Sequence, residues 1–409
     1  MESGTKKKKT MAYYTEDLML NILSRLPLKC ITSFAVVCKE WKSILESQYL
    51  HDLFMSHHQN SHTSWSLMCR DTQKEVVAHY RCETWGLPRS LGSYISSFLT
   101  HKFKFQEEKV TVDAYTDVGL ILVSLKPTFY VANPISRQCV EIKLPPLPPR
   151  EVEGFRPSAL ATRTENGVVS DYKIVLMDKK SEDTGTISLL IYSSKAGVWH
   201  FNTLHTPFAL RCVTWFNPVS LNGNLYWLGC TYGRDDHDVV VSHNLYATGL
   251  DYYQCRVIQF PDVENNVNFR RACTTSQGSL MYMNIIKEDK DDGSVMNKLC
   301  VWRLHSKEWQ IVSQISPACM KRGLNYYPLA INPFDANKMY LWSELHKCFV
   351  STTNLNKGKF ERHKNLECSS DGHVLSFARE WNPFEDLFDS FSSKFVLPRS
   401  LHRIPSREW

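Results

Sequence analysis

The sequence predicts a small all-α domain of three helices followed by an all-β propeller of about six blades. Three observations lead to this prediction. Apolar residues recur at helical spacing between residues 16 and 45. Beyond about residue 60, short runs of alternating polarity are separated by turn residues, as in strands and hairpins. The turn points of this second part recur at steps of 51 to 60 residues, which is the length of a four-stranded propeller blade.

The first helix is predicted to begin after Thr15, whose hydroxyl oxygen can accept a hydrogen bond from a free amide of the first turn. Glu16 and Asp17 follow at the positive end of the helix dipole. Pro27 cannot continue the hydrogen-bond ladder and suits the first turn of a second helix. The apolar stripe of the first helix has the spacing i, i+4, i+8 and consists of Leu18, Ile22 and Leu26.

Two further stripes complete the helical segment. The second consists of Ile31, Phe34 and Ala35, and the third of Val37, Trp41, Ile44 and Leu45. Thirty residues are too few to bury a core of their own, so part of this apolar surface is expected to face a partner. The alternative is a plain helical subdomain without a partner.

The amino-acid sequence of this segment resembles the F-box over about residues 16–55. The resemblance rests on Glu16-Asp17-Leu18, on Ile22-Leu23-Ser24-Arg25-Leu26-Pro27 and on Val37-Cys38-Lys39-Glu40-Trp41. The family usually has Leu-Pro before the acidic pair, where this chain has Tyr14-Thr15. The resemblance implies binding to a Skp-type adaptor and, through it, to a cullin and a RING subunit. The positions that match the family's contact surface are Leu18, Ile22, Leu26, Pro27, Val37, Cys38 and Trp41.

The second part of the chain has the repetition expected of a propeller. Matched turn points are predicted at Gly119, Tyr172, Gly223, Gly278 and Lys338. A β-sandwich or two smaller β domains would also alternate in polarity, but neither needs a period, so the period favours a propeller. About six blades fit into residues 65–400, and seven remain an alternative.

A two-strand unit also recurs, in which an aromatic residue precedes a tryptophan by seven positions. It is present at Ile191–Trp199 and at Val301–Trp309. The region is similar to the F-box-associated propeller of plant-type F-box proteins. That similarity rests on Tyr130–Pro134, on Cys139–Ile142 and on the turn and strand Gly223–Leu228.

Four segments are therefore expected. Residues 1–12 form a disordered basic tail, 13–58 the F-box, 65–382 the propeller and 383–409 a C-terminal tail. The basic run Lys6, Lys7, Lys8 and Lys9 is either a solvated tail, which is the favoured interpretation, or a nuclear import signal.

Composition excludes several function classes. The net charge of +6 owes four charges to the lysine run, so the folded part is nearly neutral and lacks the basic stripe of a nucleic-acid binder. The sequence has no run of 18 apolar residues, and a membrane span is not expected. The 13 cysteines are scattered without a C-x-x-C pair, which predicts reduced thiols in the cytoplasm or nucleus and no zinc site.

No catalytic or phosphate-binding motif is present, and neither a metal nor a cofactor is expected. Two acidic segments between strand-like runs are candidate target-binding loops, with candidate residues Asp235, Asp236, Asp238, Glu288, Asp291 and Asp292. Because Gly223 and Gly278 mark equivalent points of neighbouring blades, both loops are expected on one propeller face, where they would favour a basic partner. The alternative is that both are solvated hairpin tips.

The sequence thus predicts a non-catalytic substrate receptor of an SCF-type cullin ubiquitin ligase. The helical segment would bind the adaptor, and the propeller would bind a target protein whose identity the sequence does not give. The alternative is a propeller enzyme or a lectin-like binding protein with a helical appendage.

Overall fold

The computed structural model of the protein describes most of the chain. The described residues are 15–34, 37–69, 73–103, 110–125, 127–145, 154–165, 167–178, 185–212, 218–231, 238–262, 271–289, 295–316, 326–343, 346, 348–363, 367–368, 374–377, 392–399 and 404–405. The predicted basic tail, with Lys6–Lys9, lies outside them.

The described part of the helical domain, residues 16–57, has four helices rather than the predicted three: α1 (Glu16–Leu23), α2 (Leu28–Phe34), α3 (Lys39–Leu45) and α4 (Gln48–His57). The additional helix is α4, which lies beyond the three predicted apolar stripes. Thr15 precedes α1 in an extended conformation but makes no side-chain hydrogen bond to it, so the predicted hydroxyl cap is wrong. Ser47 does cap α4, because its hydroxyl accepts from the Leu50 N–H at 3.3 Å. The domain buries Leu20 and Leu23 of α1 rather than Leu18 and Ile22.

Six antiparallel sheets follow, which confirms the predicted propeller and its count of six blades. Blade 2 consists of β3 (Thr111–Tyr115), β4 (Ile121–Leu125), β5 (Thr128–Asn133) and β6 (Gln138–Lys143). Blade 3 consists of β7 (Phe155–Glu165), β8 (Val168–Asp178), β9 (Thr186–Ser193) and β10 (Val198–His205). Blade 4 consists of β11 (Leu210–Cys212), β12 (Val219–Leu221), β13 (Asn224–Thr231), β14 (Asp238–Asn244) and β15 (Arg256–Gln259).

Blade 5 consists of β16 (Ala272–Ser276), β17 (Ser279–Asp289), β18 (Val295–His305) and β19 (Glu308–Ile315). Blade 6 consists of β20 (Tyr326–Ile331), β21 (Met339–Ser343), β22 (Cys348–Asn354) and β23 (Lys359–His363). Blade 1 joins both chain ends and contains β1 (Trp65–Cys69), β2 (Glu75–Tyr80), β24 (Glu367–Cys368), β25 (Val374–Phe377) and β26 (Ser392–Val396). The helix α5 (Leu91–Phe103) follows β2.

The C-terminal strand β26 closes the ring. It pairs with β1 in the register Trp65↔Val396 to Cys69↔Ser392, and it lies beside β3, the inner strand of blade 2. Residues 392–396 are therefore the innermost strand of blade 1, and the predicted division into a propeller ending at 382 and a tail of 383–409 is wrong. A strand supplied from the far end of the chain pairs with the otherwise free inner edge of β1 and joins the two ends of the propeller.

The turns between first and second strands recur as predicted, with one exception. Gly119, Gly223 and Gly278 have positive φ values of 75°, 77° and 70°, which glycine adopts without steric cost. Tyr172 is not a turn residue but a buried residue inside β8. The equivalent turn of blade 3 lies at Gly167, with φ 77°, because β8 already begins at Val168 and continues through Tyr172.

The two predicted Trp-containing repeats form equivalent contacts at the outer rim. The Trp199 indole of β10 donates to the Lys143 carbonyl at the end of β6, at 2.9 Å. The Trp309 indole of β19 donates to the Gln259 carbonyl at the end of β15, also at 2.9 Å. In each case an outer strand is hydrogen-bonded to the outer strand of the preceding blade, so the repeat has a structural role in joining blades.

The helical domain and blade 1 share one apolar core. Leu28, Ile31 and Phe54 of the helical domain pack in the same buried cluster as Trp85 and Ile95 of the propeller. We name this region the junction. Within it, the carboxylate of Glu75 accepts from the Gly92 N–H in the first turn of α5, at 2.9 Å. The helical domain therefore shares part of its core with blade 1, while Leu20, Leu23 and Leu50 form a separate small core.

Candidate functional site

The exposed large apolar residues of the helical domain lie on α1, just before α3 and, as Tyr49, near the start of α4. Leu18, Ile22 and Val37 are 45%, 51% and 60% exposed. No residue of α3 is buried, although Trp41, Ile44 and Leu45 pack against the small core of Leu20, Leu23 and Leu50. We use the name α1–α3 surface for two groups of residues taken together: Leu18 and Ile22 on α1, and Val37, Cys38 and Trp41 at the start of α3. Such apolar exposure in a small domain is typical of a binding surface.

Local contacts hold the α1–α3 surface in place. Cys38 precedes α3, and its sulfur accepts from the Trp41 N–H at 3.5 Å. The rings of Phe34 and Trp41 are 5.0 Å apart and tilted by 44°, so α2 supports the half-buried indole. Cys38 itself is exposed. The indole of Trp41 is therefore held in position by contacts within the helical domain.

Two predicted adaptor contacts lie elsewhere. Leu26 packs against both the helical core and the junction. Pro27 contacts Gly86 of the propeller so closely that a Cβ on that glycine would lie 2.9 Å from the proline Cβ. Five of the seven predicted residues thus form the α1–α3 surface, while these two face the junction.

The junction itself was not predicted. The Leu28 N–H donates to the Thr84 carbonyl at 2.9 Å, and the Trp85 indole donates to the Pro398 carbonyl at 2.7 Å. Their partners are more than 50 and 300 residues distant in sequence, and no local pattern signals such a pairing. The exposed Tyr49 of α4 was also missed, because a single aromatic residue outside a stripe carries no periodic signal.

The two faces of the propeller differ in the strand connections that lie there and in the attachment of the helical domain. The first and second strands of each blade are joined at one face, and β26 ends and β1 begins at this same face, where the Leu397 N–H donates to the Ser64 carbonyl at 3.1 Å. The helical domain is therefore attached here, and we name this the helical face. Because neighbouring strands are antiparallel, the second and third strands of each blade are joined at the opposite, distal face.

The candidate target-binding loops flank the distal face. Asp238 begins β14, and β17 ends at Asp289, so both connections leave second strands of neighbouring blades on the same side, as predicted. Asp235, Asp236, Asp291 and Asp292 lie outside the described residues. The backbone of Glu288 belongs to β17, but the structure does not describe its side chain.

Asp238 is not an exposed loop residue, which corrects its assignment as a target contact. Its side chain is buried and forms an ion pair with Arg271, which also lies 3.5 Å from the carboxylate of Asp262. The phenol of Tyr282 donates to both Asp262 oxygens, at 3.0 and 2.8 Å, and Asn284 donates to one of them at 2.5 Å. Burial raises the pKa of Tyr282 far above its usual range, so the phenol remains a donor.

This buried polar group joins blades 4 and 5 below the distal face. Asp238 stands at the start of β14, and Arg271 directly precedes β16. The ion pair therefore fixes the two points at which the chain returns from the distal face into the blades. Its chemistry is that of structural support, since the guanidinium and both carboxylates are engaged with one another.

The described residues offer no other recognised type of site. Within the ranges given above, no helix is long and apolar enough to cross a membrane. No group of three or more His, Cys, Asp or Glu side chains in that part of the chain is arranged to hold a metal ion. The nine cysteines whose side chains the structure describes are free thiols: Cys30, Cys38, Cys69, Cys82, Cys139, Cys230, Cys255, Cys273 and Cys300.

Comparison with known proteins supports both parts of this architecture. Residues 63–406 match the family described as F-box protein At3g26010-like β-propeller, and residues 15–53 match the F-box domain. The F-box protein At3g28330 of Arabidopsis thaliana is 48% identical over 404 residues, covering 98% of each chain. The putative F-box protein At3g28280 of the same plant is 45% identical, covering 76% of this chain and 98% of its own.

Proposed function

Because the chain belongs to the F-box proteins with an At3g26010-like β-propeller, we propose that it is the substrate-recognition subunit of an SCF-type cullin ubiquitin ligase. The observation that carries the proposal is the α1–α3 surface, where Leu18, Ile22 and Val37 are exposed on a domain whose core lies elsewhere. In this proposal the surface binds a Skp-type adaptor. The adaptor in turn connects the chain to a cullin and to the RING subunit.

The energetics favour a partner on this surface. Burial of apolar area contributes about 25 cal/mol per Å², so each large side chain that the adaptor covers adds on the order of 1 kcal/mol to binding. The packing of Trp41 on Phe34 means that little side-chain entropy is lost on association. An exposed apolar surface with one pre-arranged aromatic side chain suits a stable adaptor interface.

In this proposal the propeller binds the target protein. Ubiquitin transfer needs the target's lysines at high effective concentration near the conjugating enzyme, and that requires positioning rather than a catalytic group. The junction holds the propeller in a fixed position relative to the helical domain, because Leu28 and Phe54 pack in the same core as blade 1. We assign target binding to the distal face, because the adaptor occupies the helical domain on the other side. The protein would act in the cytoplasm or the nucleus.

The test is adaptor binding by exposed-residue variants of the full chain. Ile22→Asp combined with Val37→Asp should weaken binding of the purified adaptor about a hundredfold or more, because a carboxylate would be buried without a partner. Ile311→Asp is the matched control, since Ile311 on the rim of blade 5 is 55% exposed and Ile22 is 51% exposed. Equal adaptor binding by the double variant and the control, with both folded, would refute the proposal.

A further inference from the structure

Exposed apolar side chains concentrate on the outer rim of blades 3 and 4. Among the described residues of the propeller, seven large apolar side chains are exposed, and five of them lie between residues 198 and 253. Val198 at the start of β10 is 52% exposed, Leu250 83% and Tyr253 51%. The last two belong to the 3₁₀ helix Gly249–Tyr253, which lies between β14 and β15. We name Val198, Leu250 and Tyr253 the rim patch.

The 3₁₀ helix of blade 4 runs along the outer strand of blade 3. The Tyr252 hydroxyl is 2.6 Å from the His200 Nε2, and the Tyr252 carbonyl accepts from the Asn202 amide at 3.3 Å. Two residues later, Gln254 forms a parallel bridge with His205. The segment after β14 and the strand β10 therefore lie side by side and run in the same direction.

This parallel course brings the three residues of the rim patch together. Leu250 precedes Tyr252 by two residues, and Val198 precedes His200 by two, so both lie toward the helical face. Val198 projects from the same side of β10 as His200, because side chains alternate along a strand. The rings of Tyr252 and Tyr253 are 5.4 Å apart. One continuous apolar surface therefore crosses from blade 3 to blade 4.

The propeller does not need this surface for its own packing. None of the three rim-patch residues packs into the buried apolar clusters of blades 3 and 4. The backbone beneath them is nonetheless ordered, since the Cys255 N–H donates to the His205 carbonyl at 3.1 Å and the Gln254 carbonyl lies 3.3 Å from the His243 Nδ1. Apolar side chains exposed from an ordered segment are typical of a protein-binding surface.

The charges beside the rim patch indicate what covers it. Lys195 lies in the turn before Val198, on blade 3, and Asp251 follows Leu250, on blade 4; both residues are exposed. Neither forms an ion pair with another described residue. A two-fold axis through the patch places blade 3 of one copy against blade 4 of the other, so each lysine faces the aspartate of the other copy. An apolar centre flanked by both signs of charge is complementary to itself.

The place of the rim patch in the ring agrees with such a contact. In a ring of six blades, blade 4 lies opposite blade 1, with which the helical domain shares the junction. Two copies that meet at the rim patch keep their helical domains far from the contact, so both α1–α3 surfaces stay accessible. We propose that the protein forms a two-fold symmetric dimer through the rim patch.

The test is the association state of the full chain, measured by sedimentation equilibrium over a range of protein concentrations. Wild type should show a monomer–dimer equilibrium. Leu250→Asp should weaken the dimer about a hundredfold or more, because each dimer would bury two carboxylates without partners. Since Leu250 is 83% exposed, the variant should keep the unfolding temperature of wild type. Ile311→Asp is the matched control, because Ile311 is 55% exposed on blade 5, and it should leave the dimer unchanged.

An exchange of charges tests the two-fold arrangement itself. Lys195→Glu and Asp251→Lys should each weaken the dimer roughly tenfold, because two symmetric ion pairs become two like-charge contacts. The double variant has opposite charges facing each other again and should regain most of the affinity of wild type.

Three results would overturn the proposal. The first is a wild-type protein that stays monomeric at about 100 μM. The second is equal dimerisation of wild type and of folded Leu250→Asp. The third is a double charge variant that dimerises no better than either single variant. The adaptor assay on the same samples stays independent, because the rim patch does not include the α1–α3 surface.

Discussion

The backbone N–H of Leu28 donates to the carbonyl of Thr84 at 2.9 Å, which links the start of α2 directly to the propeller. Pro27 lies against Gly86 two residues further on, and Leu28 itself is buried in the junction. The first blade and the helical domain are thus one packed unit. A target on the distal face would therefore keep a fixed position relative to the adaptor.

Gly86→Ala should loosen the junction. Gly86 has φ +57°, and an added Cβ would meet Pro27 at 2.9 Å, so the variant combines backbone strain of about 1 kcal/mol with a steric clash. Gly167→Ala is the control, because Gly167 has φ +77° but nothing within 4 Å of the added atom. Thermal unfolding should show a clearly larger loss for Gly86→Ala. Equal losses would mean that the contact with Pro27 is unimportant.

Leu26→Asp should destabilise the whole chain rather than only block adaptor binding. Leu26 packs against the junction as well as the helical core, and an unpaired carboxylate there costs several kcal/mol, roughly 2–7. Ile22→Asp alters an exposed residue of the same stripe and should leave the unfolding temperature nearly unchanged. The unfolding temperatures of both variants are measured by tryptophan fluorescence on heating. A normal melting curve for Leu26→Asp would contradict the shared core.

Trp199→Phe should cost about 1 kcal/mol of unfolding free energy, because the ring is kept while the hydrogen bond to the Lys143 carbonyl is lost. Trp309→Phe should cost a similar amount through the Gln259 carbonyl. The two residues join different pairs of blades, so the double variant should show the sum of both losses. Urea denaturation gives the unfolding free energies of the two single variants and the double variant. A loss of stability in only one single variant would contradict the equivalence of the repeats.

Arg271→Leu should destabilise the protein by about 3–5 kcal/mol, because Asp238 and Asp262 would remain buried without their cation. Arg163→Leu is the control, since its ion pair with Glu165 is more than half exposed and should contribute at most about 1 kcal/mol. Chemical denaturation compares the variants. A loss for Arg271→Leu no greater than that for Arg163→Leu would refute the supporting role of this ion pair.

His243 should make stability fall in mild acid. Its pKa in the folded protein is lowered to about 4 from an unfolded value near 6.5, so its contribution is present above about pH 6.5 and is lost as the pH falls through about 4. The shift corresponds to at most about 3 kcal/mol. The unfolding free energy of His243→Gln, measured between pH 7 and 4, should fall less steeply than that of wild type. Parallel pH curves would exclude His243 as the cause.

Local chemistry made much of the fold predictable. The positive-φ turns at Gly223 and Gly278 depend on residues adjacent in sequence. The spacing of the turn points led to the correct number of blades, and the repeats ending at Trp199 and Trp309 also depend on local spacing. The exposed positions of Leu18, Ile22 and Val37 followed from one helical period and one motif. Whether the seven predicted residues contact an adaptor stays a prediction that the proposed assay addresses.

The sequence by itself determined the helical and strand periods, the blade repeat and the family motif, because each arises from backbone and side-chain preferences over a few residues. Only the tertiary structure decided that residues 392–396 close the ring, that Leu26 faces the junction and that Asp238 is buried against Arg271. Each of these depends on a partner tens to hundreds of residues away. A short stretch of sequence fixes which surface a side chain can present, but the packing of distant segments determines which surfaces remain exposed.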